Sequence, residues 1–238
     1  MEKAVIMGVG SEQGLGAQLA KRFSLEGFHV FLASRSKSRL EKLSEDIEQA
    51  GGKATPVFAD ASVEEHVIEL FKKAGPQISL AIYNAGNNFP GQIVDMEVAY
   101  FRKSWESCCL GGFLFGREAI RSMIPSKNGT LIFTGASASL RGRSNFGAFN
   151  SAKSGLRSLA QAMSKEYGPM GIHVGHVIID GVIDGDKVKN NHPILAKNLG
   201  EEGMINIQSI VDSYLFLYNQ SPRAWTFELD LRTSIEKW

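Results

Sequence analysis

The sequence predicts an α/β chain: one doubly wound parallel sheet of about seven strands with helices on both faces, forming a single domain over residues 1–238. Three observations predict it. Short apolar runs alternate with amphipathic stretches at a spacing of roughly 25 to 30 residues, as repeated βαβ units require. No linker, low-complexity segment or short-period repeat interrupts that alternation across the 238 residues, a length near the top of the single-domain range. The 25 glycines are the one unusual count, and they point to tight turns and close approaches of backbone to a ligand.

The strand candidates follow in order: Ala4 to Met7, His29 to Ala33, Ala54 to Ala59, Ser79 to Tyr83, Gly129 to Phe133 and Ile172 to Ile179, with a weaker seventh near Trp225 to Leu231. Between the first two, Leu15, Leu19 and Phe23 lie on one helical stripe; Leu156, Leu159, Ala160, Met163 and Tyr167 lie on another. A third helix is expected from about Trp105 to Met123. Gly27, Gly51-Gly52 and Gly168 follow the helical patterns where C-terminal caps belong. The longest irregular segment, Gly181 to Asn206, is rich in Gly, Asp, Asn and Lys yet carries Ile194, Leu195 and Leu199, the profile of a substrate lid over residues 181–206.

Composition narrows the function. With 26 basic against 25 acidic side chains and a net charge of +1, the chain offers no electrostatic reason for a nucleic-acid or membrane partner. No run has the length of a membrane span and none has a signal-peptide profile, so the expected location is cytoplasmic. Cys108 and Cys109 are the only cysteines; adjacent in sequence, they suit neither a disulfide nor a zinc site, and no metal is expected.

Directly after the first strand stands Gly8-Val9-Gly10-Ser11-Glu12-Gln13-Gly14-Leu15-Gly16, with G-x-x-x-G-x-G at Gly10, Gly14 and Gly16. Between a strand and a helix, such a loop brings N–H groups and a positive helix end against a pyrophosphate. A bare tight turn is the alternative. The second strand ends Ala33-Ser34-Arg35, where an NAD-preferring fold would place a carboxylate for the ribose 2′-hydroxyl. Ser34 cannot serve that purpose, and Arg35 can pair with a 2′-phosphate, so NADP(H) is expected over NAD(H). A solvated cation at a helix start is the plainer reading of Arg35. After the third strand, Asp60 can accept from the adenine amino group; after the fourth, Asn84-Ala85-Gly86 makes a small-residue turn beneath the cofactor.

Gly10 to Gly16, Asp60, Asn84-Ala85-Gly86 and a helix-borne Lys153, in that order, resemble the short-chain dehydrogenase/reductases over nearly the whole chain. The resemblance implies a Rossmann sheet of seven parallel strands, a nicotinamide dinucleotide across its C-terminal edge, and hydride transfer to or from a carbonyl, alcohol or activated double bond. It also implies a homodimer or homotetramer built on helices near 105–123 and 152–167. The cofactor-binding candidates are then Gly10, Ser11, Gln13, Gly14, Leu15, Gly16, Ser34, Arg35, Asp60, Ala61, Asn84, Ala85, Gly86, Lys153, Gly181 and Ile183.

The chain departs from the family at Val9, where Thr is usual, and at Asp180-Gly181, where Pro-Gly is usual; Ile183 keeps the apolar residue where the family's backbone meets the nicotinamide carboxamide. The larger departures lie at the reaction centre. Counting back from Lys153 puts Phe149 at the family's tyrosine position and Ala136 at its serine position, while Cys108 falls at its asparagine. Ser137 or Ser139 could stand in for the serine, but the variant tyrosine spacing lands on Phe146. Two readings remain: an NADP(H)-dependent oxidoreductase with non-standard proton delivery, acting on a small carbonyl, enone or quinone-like substrate, or a nucleotide-binding pseudoenzyme that scaffolds or senses redox state. Asp180, His176 and Tyr100 are the sequence's candidates for a substitute proton donor, each with a structural role as the alternative.

Overall fold

The computed structural model describes residues 1–237. Seven strands form one parallel sheet: β1 (Lys3–Met7), β2 (His29–Ser34), β3 (Lys53–Phe58), β4 (Leu80–Tyr83), β5 (Gly129–Thr134), β6 (Ile172–Ile179) and β9 (Glu228–Leu231), in the order β3-β2-β1-β4-β5-β6-β9. Both numbers of each outer pair climb away from β1, so the order reverses between β1 and β4, and the crevice beyond their C-terminal ends is the switch point at which such sheets bind ligands. A separate two-stranded ribbon pairs β7 (Val182–Ile183) with β8 (Met204–Ile205).

Strand residues alternate between two cores. Ala4, Ile6, Leu80, Ile82 and Ile132 face one; Val5, Met7, Ala81, Tyr83, Leu131 and Phe133 face the other. This explains why the strands read as unbroken apolar runs: both faces of the sheet are covered. Helices α1 (Leu15–Leu25), α2 (Lys37–Gln49) and α9 (Ile207–Tyr218) cover the first face. The second is covered by α3 (Glu64–Ala74), α5 (Gly111–Met123) and α6 (Gly147–Tyr167).

The helix expected from about Trp105 begins earlier. Helix α4 (Val98–Trp105) runs through a π-turn at Glu106–Leu110 into α5, without a break in direction. Gly168 is not the left-handed cap of α6: its φ is −54°, a short 3₁₀ turn continues the helix, and Gly171 takes φ +86°. The polar segment 181–206 is not irregular either. It holds the β7–β8 ribbon and two short helices, α7 (Asp186–Asn191) and α8 (Pro193–Leu199), which its scattered charges concealed.

The least certain strand of the sequence, β9, is secured by ionic contacts. Arg157 on α6 donates twice to the Glu228 carboxylate, at 2.6 and 2.8 Å, and Glu228 sits opposite His176 in the sheet register. His176 is fully buried, with Nδ1 3.0 Å from Glu228 Oε2. An ionised carboxylate only accepts, so Nδ1 carries the proton, and Nε2 has no hydrogen-bond partner among the described residues. Burial pushes the imidazole pKa down to about 4 against the upward pull of Glu228. A histidine whose folded pKa is depressed contributes stability that is present near neutrality and lost as pH falls from about 6.5 to about 4. The expected loss is roughly 2 to 3 kcal/mol. Denaturant unfolding across that interval measures it, and His176→Asn should flatten the slope; an unchanged slope in the variant would assign the acid sensitivity elsewhere.

Candidate functional site

The C-terminal ends of β1, β2 and β4 are level, because Met7 pairs with both Ala33 and Tyr83. The loops that follow therefore meet at one edge. Gly8 takes φ +96°, and a Cβ there would lie 2.5 Å from Ala85 N; only glycine allows the two loops to cross this closely. Asn84 then ties them together, its side-chain amide donating to Gly8 O at 3.1 Å. Gly16 is equally constrained, since its Cβ would lie 2.5 Å from the same carbonyl.

Gly10 differs from these. It is exposed, and nothing lies within 4 Å of the position its Cβ would take. Gly14 caps the start of α1, Leu15 is the first helical residue, and the Gly14 N–H donates to Ser11 O at 3.0 Å. The loop thus leaves open space above backbone N–H groups at the positive end of an 11-residue helix, a shape and polarity suited to a dinucleotide's diphosphate. Across the crevice, Gly86 is likewise exposed, and Asn87 Oδ1 is buried without a partner among the described residues.

At the far end of β2, Ser34 Oγ accepts from Ser36 N–H at 3.4 Å, and the Arg35 guanidinium is exposed and 3.8 Å from Asp60. Asp60 Oδ1 accepts from the Ser62 N–H and hydroxyl at 3.0 and 2.7 Å. Burial opposes the Asp60 charge, but the Ser62 bonds, Arg35 and His66 outweigh it and hold its pKa below the ordinary carboxylate value. Ala61 is buried under α5, where a Cβ on Gly111 would come within 2.9 Å of its carbonyl. Gly181 and Ile183 lie at the ribbon, Ile183 in register with Ile205.

Lys153 comes from α6 and reaches the same crevice. It is buried, its ammonium donates to Thr134 O at 2.7 Å, and it lies 5.8 Å from the centre of the Phe149 ring one helical turn earlier. A Cβ on Gly86 would be 3.2 Å from Cys108 Sγ and 3.6 Å from Lys153 Nζ, which brings the loop after β4, the π-turn and α6 to one point. Burial lowers the Lys153 pKa; Cys108 opposes this and Lys187 adds to it. Ala136 lies just beyond β5, with its N–H donating to the buried Ser139 hydroxyl at 3.2 Å. Phe149 and Cys108 thus lie near Lys153, and the positions 149 and 136 counted back from it carry no phenol and no serine hydroxyl.

The substitute donors named from sequence are otherwise engaged. Asp180 is buried and receives two hydrogen bonds from Arg141, at 2.8 and 3.0 Å. His176 lies behind Gly135 and binds Glu228; Tyr100 donates to Phe89 O at 2.8 Å. Sequence reasoning missed the contacts of α7. Gln13 N–H donates to Asp186 Oδ2 at 2.9 Å, Asp186 N–H returns a bond to Gln13 O at 3.2 Å, and Lys187 Nζ donates to Asn88 Oδ1 at 2.7 Å. These pairs are separated by 173 and 99 residues, and no local pattern marks them.

This architecture defines a dinucleotide-binding α/β protein. The family model for short chain dehydrogenases matches residues 3–193, and the chain belongs to that family. A crystal structure of a short-chain dehydrogenase from Rhodopseudomonas palustris is 37% identical and superposes with a TM-score of 0.82 over 97% of this chain and 98% of the other. The uncharacterized oxidoreductase YuxG of Bacillus subtilis (strain 168) is 28% identical over 192 residues, a match that spans 78% of this chain but only 28% of YuxG. An alcohol dehydrogenase from the archaeon Thermococcus sibiricus, solved with 5-hydroxy-NADP, shares the fold at 22% identity, with a TM-score of 0.84 over 100% of this chain and 98% of that one. Among the described residues, no helix is long and apolar enough to cross a membrane.

Proposed function

We propose that the chain is an NADP(H)-dependent oxidoreductase whose proton delivery differs from its family's, acting on a small carbonyl, enone or quinone-like acceptor. The observation that carries this reading is the coexistence of a glycine-built crevice at the switch point with a buried Lys153 that faces the Phe149 ring rather than a phenol. The cofactor, when bound, supplies or accepts the hydride. Gly10 and the start of α1 would receive its diphosphate, Asp60 its adenine, and Lys153 the hydroxyls of the nicotinamide ribose. The lid segment 181–206 would close over the acceptor, with Gly181 and Ile183 at its base.

Preference for NADP(H) rests on Arg35, an exposed cation with only a 3.8 Å contact to Asp60, where no carboxylate competes for a ribose hydroxyl. A charge-assisted phosphate contact is worth about 1.5 to 3 kcal/mol. Calorimetry should find NADPH bound more tightly than NADH, with the difference removed in Arg35→Ala; equal affinities in the wild type would refute the preference.

General acid catalysis typically contributes 10² to 10⁴ in rate, about 3 to 5 kcal/mol, and positioning contributes separately. Losing the phenol therefore restricts the acceptors without abolishing transfer. Ordinary ketones should turn over negligibly with NADPH, and Lys153→Ala should weaken NADPH binding. Phe149→Tyr together with Ala136→Ser should raise ketone reduction measurably, and Phe149→Tyr alone should raise it less. Robust wild-type ketone reduction that survives Lys153→Ala would mean the site is elsewhere. A pseudoenzyme would bind NADPH and turn over none of a panel of ketones, enones and quinones.

We also read the chain as a cytoplasmic homodimer or homotetramer joined through the helices near 105–123 and 152–167. Trp105 and Phe113 are exposed in the first stretch, and Ser158 and Ala162 in the second. Ala152, expected at the same contact, is buried within the chain. Light scattering at micromolar concentration should report a dimer or tetramer, and a monomer would count against this surface.

A further inference from the structure

We propose that Lys187 supplies the cation that binds and protonates the oxygen of an enone or quinone-like acceptor, whose conjugation carries the charge away from the carbon that ordinary ketones would need the missing tyrosine and serine to hold; this rests on the oxidoreductase reading above. The argument begins with placement. Asp186 and Lys187 are adjacent, yet they reach opposite walls of the switch-point crevice. Asp186 exchanges two hydrogen bonds with Gln13 in the loop after β1. Lys187 donates to Asn88 in the loop after β4. Gly185 is pressed against Gln13 so closely that a Cβ would collide with its carbonyl, which fixes the start of α7 over the glycine loop. The Lys187 side chain therefore extends across the crevice where ligands of this fold bind.

Its electrostatic neighbours locate the ammonium further. It lies near enough to Lys153 and Cys108 to affect the first and be affected by the second. The residue is exposed at the crevice mouth, but burial around its amine lowers its pKa below the ordinary lysine value, with Cys108 opposing. A lysine so placed gives up a proton more readily than one in water. Of the other protonatable groups around the crevice, Lys153 is buried with its ammonium on Thr134 O, and Cys108 is a buried thiol beside Gly86. Tyr83 donates to Ser107 O, Tyr100 to Phe89 O; His176 binds Glu228 and Asp180 binds Arg141. Among the described residues the Lys187 ammonium donates to Asn88, whose neutral amide oxygen holds the cation without neutralising it.

The step balances. The bound cofactor would supply the hydride; with a hydride added at the acceptor carbon, the π-electron pair would move onto oxygen, and an Nζ–H bond of Lys187 would break as the O–H bond forms. In all the acceptor would gain one hydride and one proton, and the neutral amine would recover its proton from water.

A phenolate tests this without turnover, because it presents an anionic oxygen and para-nitrophenol reports its own ionisation by absorbance. With wild-type protein and NADP⁺, buffered below the free phenol's pKa, the bound probe should absorb as phenolate. Lys187→Met should lose that spectrum or bind the probe about tenfold more weakly, and Lys187→Arg should retain it. An identical spectrum and affinity in Lys187→Met, or no binding to the wild type, overturns the proposal. So does a Lys187→Met that weakens NADPH while leaving the bound phenolate unchanged, since the cation would then serve the cofactor's diphosphate. If NADP⁺ fails to bind the wild type, the cofactor reading falls; the same titration on the free protein still decides whether Lys187 holds the phenolate.

Discussion

The close crossing of two loops at Gly8 and Asn84 is the constraint on which the site depends. β1 and β4 are neighbours in the sheet but 73 residues apart from the end of one to the start of the other, and their C-terminal ends must meet for a crevice to exist. That meeting is possible because Gly8 has no side chain and a left-handed backbone, and it is fastened by the Asn84 amide on Gly8 O. Gly16 completes it by letting α1 start directly beneath the same carbonyl. A methyl group at any of these contacts would drive the two walls apart, and with them the N–H groups, Gly86 and the Lys153 that rises behind it.

Lys153 depends in turn on this edge. Removing an ammonium from water is costly unless hydrogen bonds replace hydration, and here Thr134 O at the end of β5 provides one. The Phe149 ring adds a weak cation–π contact, but it offers no oxygen. The site thus pairs a buried lysine with an aromatic ring that has no proton to give. Burying an ammonium has a desolvation cost that the hydrogen bond to Thr134 O offsets only in part, so a ligand offering further acceptors would be favoured there.

How much of this the sequence disclosed follows from the range of the interactions. The strands were legible because both faces of the sheet are buried, leaving continuous apolar runs such as Ala4 to Met7 and Leu80 to Tyr83. The glycine loop was legible because its geometry is imposed by residues next to each other. The ends of α6 were not: Gly168 looks like a cap, yet the chain turns at Gly171, where the backbone approaches Lys127 O. α7 and α8 were hidden in a charged, glycine-containing stretch, and the first turn of α7 is held by Gln13, far away in sequence, rather than by an apolar stripe of its own. For the same reason Phe149 and Ala136 could be counted from Lys153, while the Lys187–Asn88 bond could not be seen at all.

The segment 181–206 therefore belongs to the site in a stronger sense than a passive cover. It is joined at its base to the core sheet, because Asp180 ends against the Arg141 guanidinium and Asp180 N–H donates to Leu231 O. Five and six residues further on, Gly185 and Asp186 rest on the glycine loop, and the next side chain crosses to the opposite wall. Movement of this segment would alter the diphosphate cradle and the position of the Lys187 charge together. In a family member with its phenol on α6, the acid stays fixed to the rigid core whether or not such a segment is closed. Here Lys187 sits on the segment itself, so under the proposal above the placement of the segment and proton delivery would be coupled, and an acceptor that failed to hold the segment in place would be bound without being protonated.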